Sequence, residues 1–261
     1  MMFLHYSYPV TLAVLCPLIF LAGFVDSVAG GGGLISLPAY IFAGLPIHVC
    51  YGTNKFVNGF GTLCASLNYF KNNCVNARAA LFGTIGALIG SNFGARTALR
   101  LSSDALKICL LVILPVVVVF MIFNRRFGFE KVEKDPIKRP IFSAGALFTG
   151  LIVGWYDGFF GPGTGMFLTL ILAALLHMNL LTAGGTAKVI NLASNIGSAA
   201  AFLAAGKVFF MVAIPCMLCS VGGNFLGSRL AIKNGAKIIR PVIVIVSVLL
   251  IAHIVSDFLK V

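Results

Sequence analysis

Acidic residues are scarce in this chain, seven Asp and Glu among 261 residues. Charge of either sign makes up 10% of the composition, whereas 59% is hydrophobic and the mean hydropathy is +1.03. A water-soluble domain of this size could not present such a composition to solvent, so most of the chain must have lipid as its surroundings. Histidine is equally thin. His5, His48, His177 and His253 fall near segment ends with no two at metal-ligand spacing, and no Ser/His/Asp or Cys/His grouping emerges. Neither a metal centre, a cofactor nor an enzyme is expected. The seven cysteines lack the paired, loop-borne spacing of a disulfide framework. Cys216 and Cys219 form a CxxC inside an apolar run beside Pro215, which reads as helix packing.

What is abundant is apolar sequence. A helix crossing the hydrocarbon layer needs roughly 20 apolar residues, and division at charged and Gly/Pro breaks gives eight to ten such elements. Pro9 to Leu21 resembles the apolar part of a signal peptide, but no basic residue precedes it and further apolar sequence follows, so it is expected to be a retained helix. The net charge of +12 comes from 19 basic residues lying mostly in short loops, which orients a membrane protein and does not point to nucleic acid.

The chain repeats itself. Gly23 to Gly33, GFVDSVAGGGG, is answered 131 residues later by GWYDGFFGPGT at Gly154 to Thr164, with Asp26 on Asp157 and Gly30 on Gly161. GTNKFVN at Gly52 to Asn58 is answered 133 residues later by GTAKVIN at Gly185 to Asn191, and that register continues through Gly90 and Gly223, Gly94 and Gly227, and Arg96 and Arg229. The halves are therefore 1–124 and 141–261, joined by a basic linker at 125–140 that is expected to be cytoplasmic. Its run RRFGFEKVEKDPIKR carries six Lys/Arg against three acids.

Within each half the pattern predicts a helix before the Gly-rich run (9–29; 141–160), a short one after it (34–46; 163–177), and three spans. These are 49–70, 78–98 and 104–124 in the first half, and 183–205, 208–230 and 237–258 in the second. The fold class is an all-α polytopic membrane protein with two homologous repeats, each a Gly-broken helix pair plus three membrane spans. Sequence alone leaves open whether the Gly-linked pair is a hairpin or one interrupted span. If it is a hairpin the halves are inverted, and Lys71, Arg78, the linker, Arg229, Lys233 and Lys237 share one side, which favours inversion.

Five of the seven acids lie in loops or at segment ends; the other two are Asp26 and Asp157. A carboxylate at membrane depth costs several kcal/mol unless it is paired, protonated or facing water. Each half also carries one buried-looking cation, Lys55 or Lys188. These charges either hold the bundle together or line an aqueous site, the lysines binding an anion and the aspartates carrying a coupling proton. Gly30, Gly31, Gly32 and Gly33 interrupt one helix, as Gly161, Gly163 and Thr164 interrupt the other. Such breaks open backbone N–H groups at new helix N-termini to a small anion, or serve close helix packing. Thr53, Asn54 and Asn58, with Thr186, Asn191, Ser194 and Asn195, recur at three-to-four-residue spacing around the lysines, suited to an oxyanion or to helix contacts. Trp155 and Tyr156 border the site or sit at an interface.

Together GFVDSVAGGGGLISLP (Gly23 to Pro38), GTNKFVNGFGT (Gly52 to Thr62) and their echoes at Gly154 to Gly165 and Gly185 to Asn195 resemble the TauE/SafE family of membrane transporters. The resemblance implies a bacterial plasma-membrane protein that moves small sulfur-containing anions such as sulfite, sulfoacetate or other organosulfonates, coupled to the proton gradient. It implies substrate-binding positions at Gly30 to Gly33, Thr53, Asn54, Lys55, Asn58, Gly161, Gly163, Thr164, Thr186, Lys188 and Asn191, with coupling at Asp26 and Asp157. Ala187 replaces Asn54 in the second copy, and Pro162 breaks its Gly run. The expected function is secondary active transport, with an anion channel or a non-transporting membrane scaffold as the rivals. The partners are a small anion, protons and lipid, with no nucleic acid.

Overall fold

The computed structural model describes residues 4–110, 112–113 and 139–234, and these are helical, with no strand among them. In chain order the helices are α1 (Tyr8–Ala29), α2 (Gly33–Phe42), α3 (Ile47–Lys71), α4 (Ala77–Arg100), α5 (Arg139–Phe159), α6 (Thr164–Leu175), α7 (Leu180–Ala204) and α8 (Phe210–Asn234). The expected spans 104–124 and 237–258 lie outside the described residues, apart from helix at 103–110 and 112–113.

Six of the eight helices hold 21 to 25 residues, about 32–38 Å of α-helix, enough to cross the hydrocarbon layer. Among the described residues, α1 and α8 also contain an 18-residue stretch apolar enough to cross a membrane. The others owe their polarity to one face. Ser, Thr, Asn, Asp and Lys are turned inward, Thr53, Lys55, Thr62, Ser91, Asp157, Lys188 and Ser194 among them, while Phe70, Leu81, Phe93, Phe148, Ile152 and Leu218 are about 60% exposed. This is the reverse of a soluble protein, and it suits a bundle whose outer surface meets lipid.

α2 turns back toward the end where α1 began. The His5 N–H donates to the Ala43 carbonyl at 3.2 Å, and the rings of Tyr6 and Phe42 lie 5.9 Å apart. The first Gly-linked pair is thus a hairpin, not one interrupted span. α3 then crosses the bundle and α4 returns.

Helix directions follow from who touches whom. α1 runs parallel to α8, with Tyr8 at Met211 and Gly223 against Phe20. α4 runs parallel to α5, and its Gly86, Gly90 and Gly94 lie against the carbonyls of Leu147, Leu151 and Trp155. α3 and α7 cross antiparallel: Tyr51 stacks near Phe202, Asn195 Nδ2 donates to Thr62 Oγ1, and Gly185 meets Tyr69. The first helix of each half therefore packs on the fourth helix of the other half.

Lys71, Arg78, Arg229 and Lys233 come to one end of the bundle, as expected, while Arg96, Arg100, Lys107 and Lys207 lie toward the other. Arg139, which starts α5 beside the start of α4, joins the first group, so the described residues divide five to four; the rest of the linker's basic run and Lys237 fall outside them.

The seams are backbone-to-backbone. A Cβ added at Gly90 would lie 2.1 Å from the Leu151 carbonyl oxygen, and one at Gly223 would lie 2.0 Å from that of Phe20. Such contact lets helices approach closely where lipid supplies no hydrophobic drive between them. Gly90→Ala is expected to destabilise the protein by about 1–3 kcal/mol. Gly59→Ala, which meets nothing within 4 Å, should leave the midpoint unchanged or raise it. Thermal unfolding in detergent would compare the two.

Candidate functional site

Asp26 stands one turn before Gly30, and Asp157 one turn before Gly161. Both glycines take left-handed backbone angles, φ 77° and 96°, which end α1 and α5 and turn the chain into the following short helix. The Gly30 N–H closes back on the Asp26 carbonyl at 2.7 Å. At the second break, the Thr164 hydroxyl donates to the Gly161 carbonyl and the Tyr156 hydroxyl to that of Pro162, both at 2.7 Å. Tyr156 therefore pins the break, whereas Trp155 stacks on Phe159 and is 44% exposed.

The lysines reach across. Lys55 Nζ lies 2.7 Å from Asp157 Oδ1, and Lys188 Nζ lies 2.9 Å from Asp26 Oδ2. Each pair joins the lysine of one half to the aspartate of the other, and all four side chains are buried. Asp157 Oδ2 also accepts from the Ser194 hydroxyl.

The residues before each lysine set its direction. Gly52 sits against the Lys207 carbonyl, and Thr53 Oγ1 accepts from the Phe209 N–H at 3.1 Å. In the same way Gly185 sits against the Cys74 carbonyl, and Thr186 Oγ1 accepts from the Asn76 N–H at 2.9 Å. Two residues of α-helix turn about 200°. Fixing the threonine on a loop of the other half thus points the lysine to the opposite face, toward the aspartate.

A polar pocket lies between the breaks, with Lys55, Asp157 and Asp26 on its wall beside Gly30, Gly33 and Gly161. Asn54, Asn58, Asn191 and Asn195 complete it. The Asn54 Oδ1 accepts from the Ser36 hydroxyl at 2.6 Å and from Asn58 Nδ2 at 3.2 Å, and the Asn191 Oδ1 accepts from Asn195 Nδ2 at 2.8 Å. With those oxygens engaged, the Nδ2 groups of Asn54 and Asn191 are donors available to a guest. As it stands the pocket has room for about one water molecule.

Of the residues singled out in sequence, this pocket gathers Asp26, Gly30, Gly33, Asn54, Lys55, Asn58, Asp157, Gly161, Asn191 and Asn195. Gly31, Gly32, Gly163 and Thr164 are buried in the breaks beside it, Gly32 packing on the Asp26 side chain. Thr53 and Thr186 are taken up by the loop contacts, and Lys188 stands behind the wall. Ser36 carried no signal of its own: it lies in the first motif, but nothing in sequence connects it with Asn54, 18 residues on.

Polar residues converging on two helix breaks inside a lipid-facing bundle are the architecture of a transport protein, and comparison with known proteins agrees. The family described as Sulfite exporter TauE/SafE matches residues 15–254. The chain belongs to the TauE/SafE family. Its relatives include a "Probable membrane transporter protein" of Haemophilus influenzae, 35% identical over 94% of this chain and 95% of that one. A protein of the same printed name, ORF9, from a Sinorhizobium species is 36% identical over 94% and 93%. YfcA of Escherichia coli K12, also named a probable membrane transporter protein, is 34% identical over 95% and 91%. No solved structure matches the chain. In this TauE/SafE protein the motifs that define the resemblance are those that form the ion pairs and the helix breaks.

Removing one member of a buried pair leaves the other charge uncompensated, at a cost of about 3–5 kcal/mol. Lys55→Gln and Asp157→Asn should each lose that much stability, and the double variant should recover most of it. Chemical or thermal unfolding in detergent, arranged as a double-mutant cycle, would check the coupling.

Proposed function

We propose that this TauE/SafE protein is a secondary active transporter of a small sulfur-containing anion, such as sulfite, sulfoacetate or another organosulfonate, coupled to protons across the bacterial plasma membrane. The carrying observation is the pair of crossed Lys–Asp contacts at two helix breaks, with a polar pocket between them. The family description and the relatives' names support transport; the donors support an anion. Lys55 Nζ and the amide groups of Asn54 and Asn191 are hydrogen-bond donors suited to the several acceptor oxygens of a sulfite or sulfonate group.

Charge balance supplies the coupling. Two aspartates and two lysines sum to zero, and a buried site tolerates little net charge. An anion entering alone would add one negative charge where the lysine is already engaged. A proton taken by Asp157 restores the balance and releases Lys55 to the anion. One proton therefore enters with each monovalent anion.

The halves, 1–124 and 141–261 about a cytoplasmic linker at 125–140, are read as inverted repeats. This reading is supported by the antiparallel crossing of α3 and α7, and by the recurrence of loop and seam contacts at the offsets seen in the sequence. Alternating access then exchanges which end of the bundle reaches the breaks.

The test is flux in proteoliposomes of labelled sulfite and a panel of monovalent sulfonates, with and without a pH gradient. Gradient-driven flux is expected for at least one anion. With no anion gradient imposed, a pH gradient alone should drive net flux of the anion, because each anion carries a proton with it. Equal flux with and without the pH gradient would refute the coupling, and no flux of any sulfur anion would refute the substrate class.

A further inference from the structure

We propose that the two ion pairs are not equivalent: Lys55–Asp157 is where the anion binds, and Lys188–Asp26 is a fastening that the anion never opens. This deepens the transporter reading above and rests on it.

The pocket is one-sided. Lys55 lines it and Lys188 does not. The amides around it also belong to a single site. Asn54, held by Ser36 and Asn58, stands immediately before Lys55. At the matching places of the second half stand Ala187 and Phe167, which have no polar side-chain group to give an anion. Asn191, the counterpart of Asn58, lines the pocket of Lys55.

Lys188 lies against the backbone of the breaks. The two helix breaks touch at Gly30 and Gly165, where a Cβ on Gly165 would lie 2.6 Å from the Gly30 Cα and 3.3 Å from Lys188 Nζ. Lys55 Nζ also lies near break backbone, 3.0 Å from a Cβ on Gly161, but Lys55 lines the pocket and Lys188 does not. Lys188 therefore acts on Asp26, a carboxylate on the pocket wall, and cancels a charge that would otherwise repel the incoming anion. The second half has become the wall of a site owned by the first.

The experiment measures binding of sulfite and methanesulfonate to the full-length protein in detergent by calorimetry. It uses two charge-neutral double variants that avoid orphaned ions, with thermal unfolding to establish that each folds. Lys55→Gln with Asp157→Asn should weaken binding by at least about 30-fold, the loss of a charge-assisted contact. Lys188→Gln with Asp26→Asn should bind within about threefold of the parent while moving anion more slowly in proteoliposomes. Asn54→Ala should weaken binding by about three- to tenfold, whereas Ala187→Asn should not change it. Equal losses in the two double variants would overturn the division of roles, as would binding that survives in the Lys55/Asp157 variant. A parent protein that binds neither anion would overturn the transporter reading itself and this proposal with it.

Discussion

A charge inside a lipid-facing bundle must find its opposite, and here each finds it in the other half of the chain. That constraint organises the structure. For Lys55 to reach Asp157, α3 must lie against the second helix break; for Lys188 to reach Asp26, α7 must lie against the first. The breaks in turn must come close enough to touch, which they do at Gly30 and Gly165. Loop contacts through Thr53 and Thr186 set the rotation of both lysine-bearing helices. Bundle packing and site chemistry therefore rest on the same few residues.

The glycine seams make this geometry reachable. α4 and α8 carry glycines four residues apart that let α5 and α1 approach until carbonyls meet bare Cα atoms. Without side chains between the backbones the bundle narrows, and the polar faces of α3 and α7 are held together away from lipid. The large side chains displaced from the seams, such as Phe93, Ile152 and Leu218, are exposed on the outside of the bundle.

Much of this was legible in the sequence, for reasons particular to each residue. Asp26, Asp157, Lys55 and Lys188 stood out because ions are so rare in apolar sequence. Gly30 and Gly161 stood out because a repeat preserved them at a fixed distance. Helix existence was readable from apolar length, with limits displaced by a few residues where Gly and Asn end or cap a helix: α2 stops at Phe42, before Gly44, and α7 starts at Leu180, capped by the Asn179 side chain. The crossing of the pairs was not legible, because periodicity within one helix says nothing about which other helix it faces. The same limit hid the loop contacts of Thr53 and Thr186, whose motif gave them the look of ligand donors, and the partnership of Ser36 with Asn54.

The seams also bear on how the protein is made. α1 packs on α8 and α4 on α5, so the first helix of the chain waits for some 180 residues of further synthesis before its partner exists. Local contacts form early and cheaply, whereas contacts this distant in sequence come late. A nascent first half leaving the insertion machinery would hold Asp26 and Lys55 without their partners and its glycine faces unfilled. Assembly is then a joint event of two inserted halves, and a chain cut between them should mature only when both pieces occupy the same membrane.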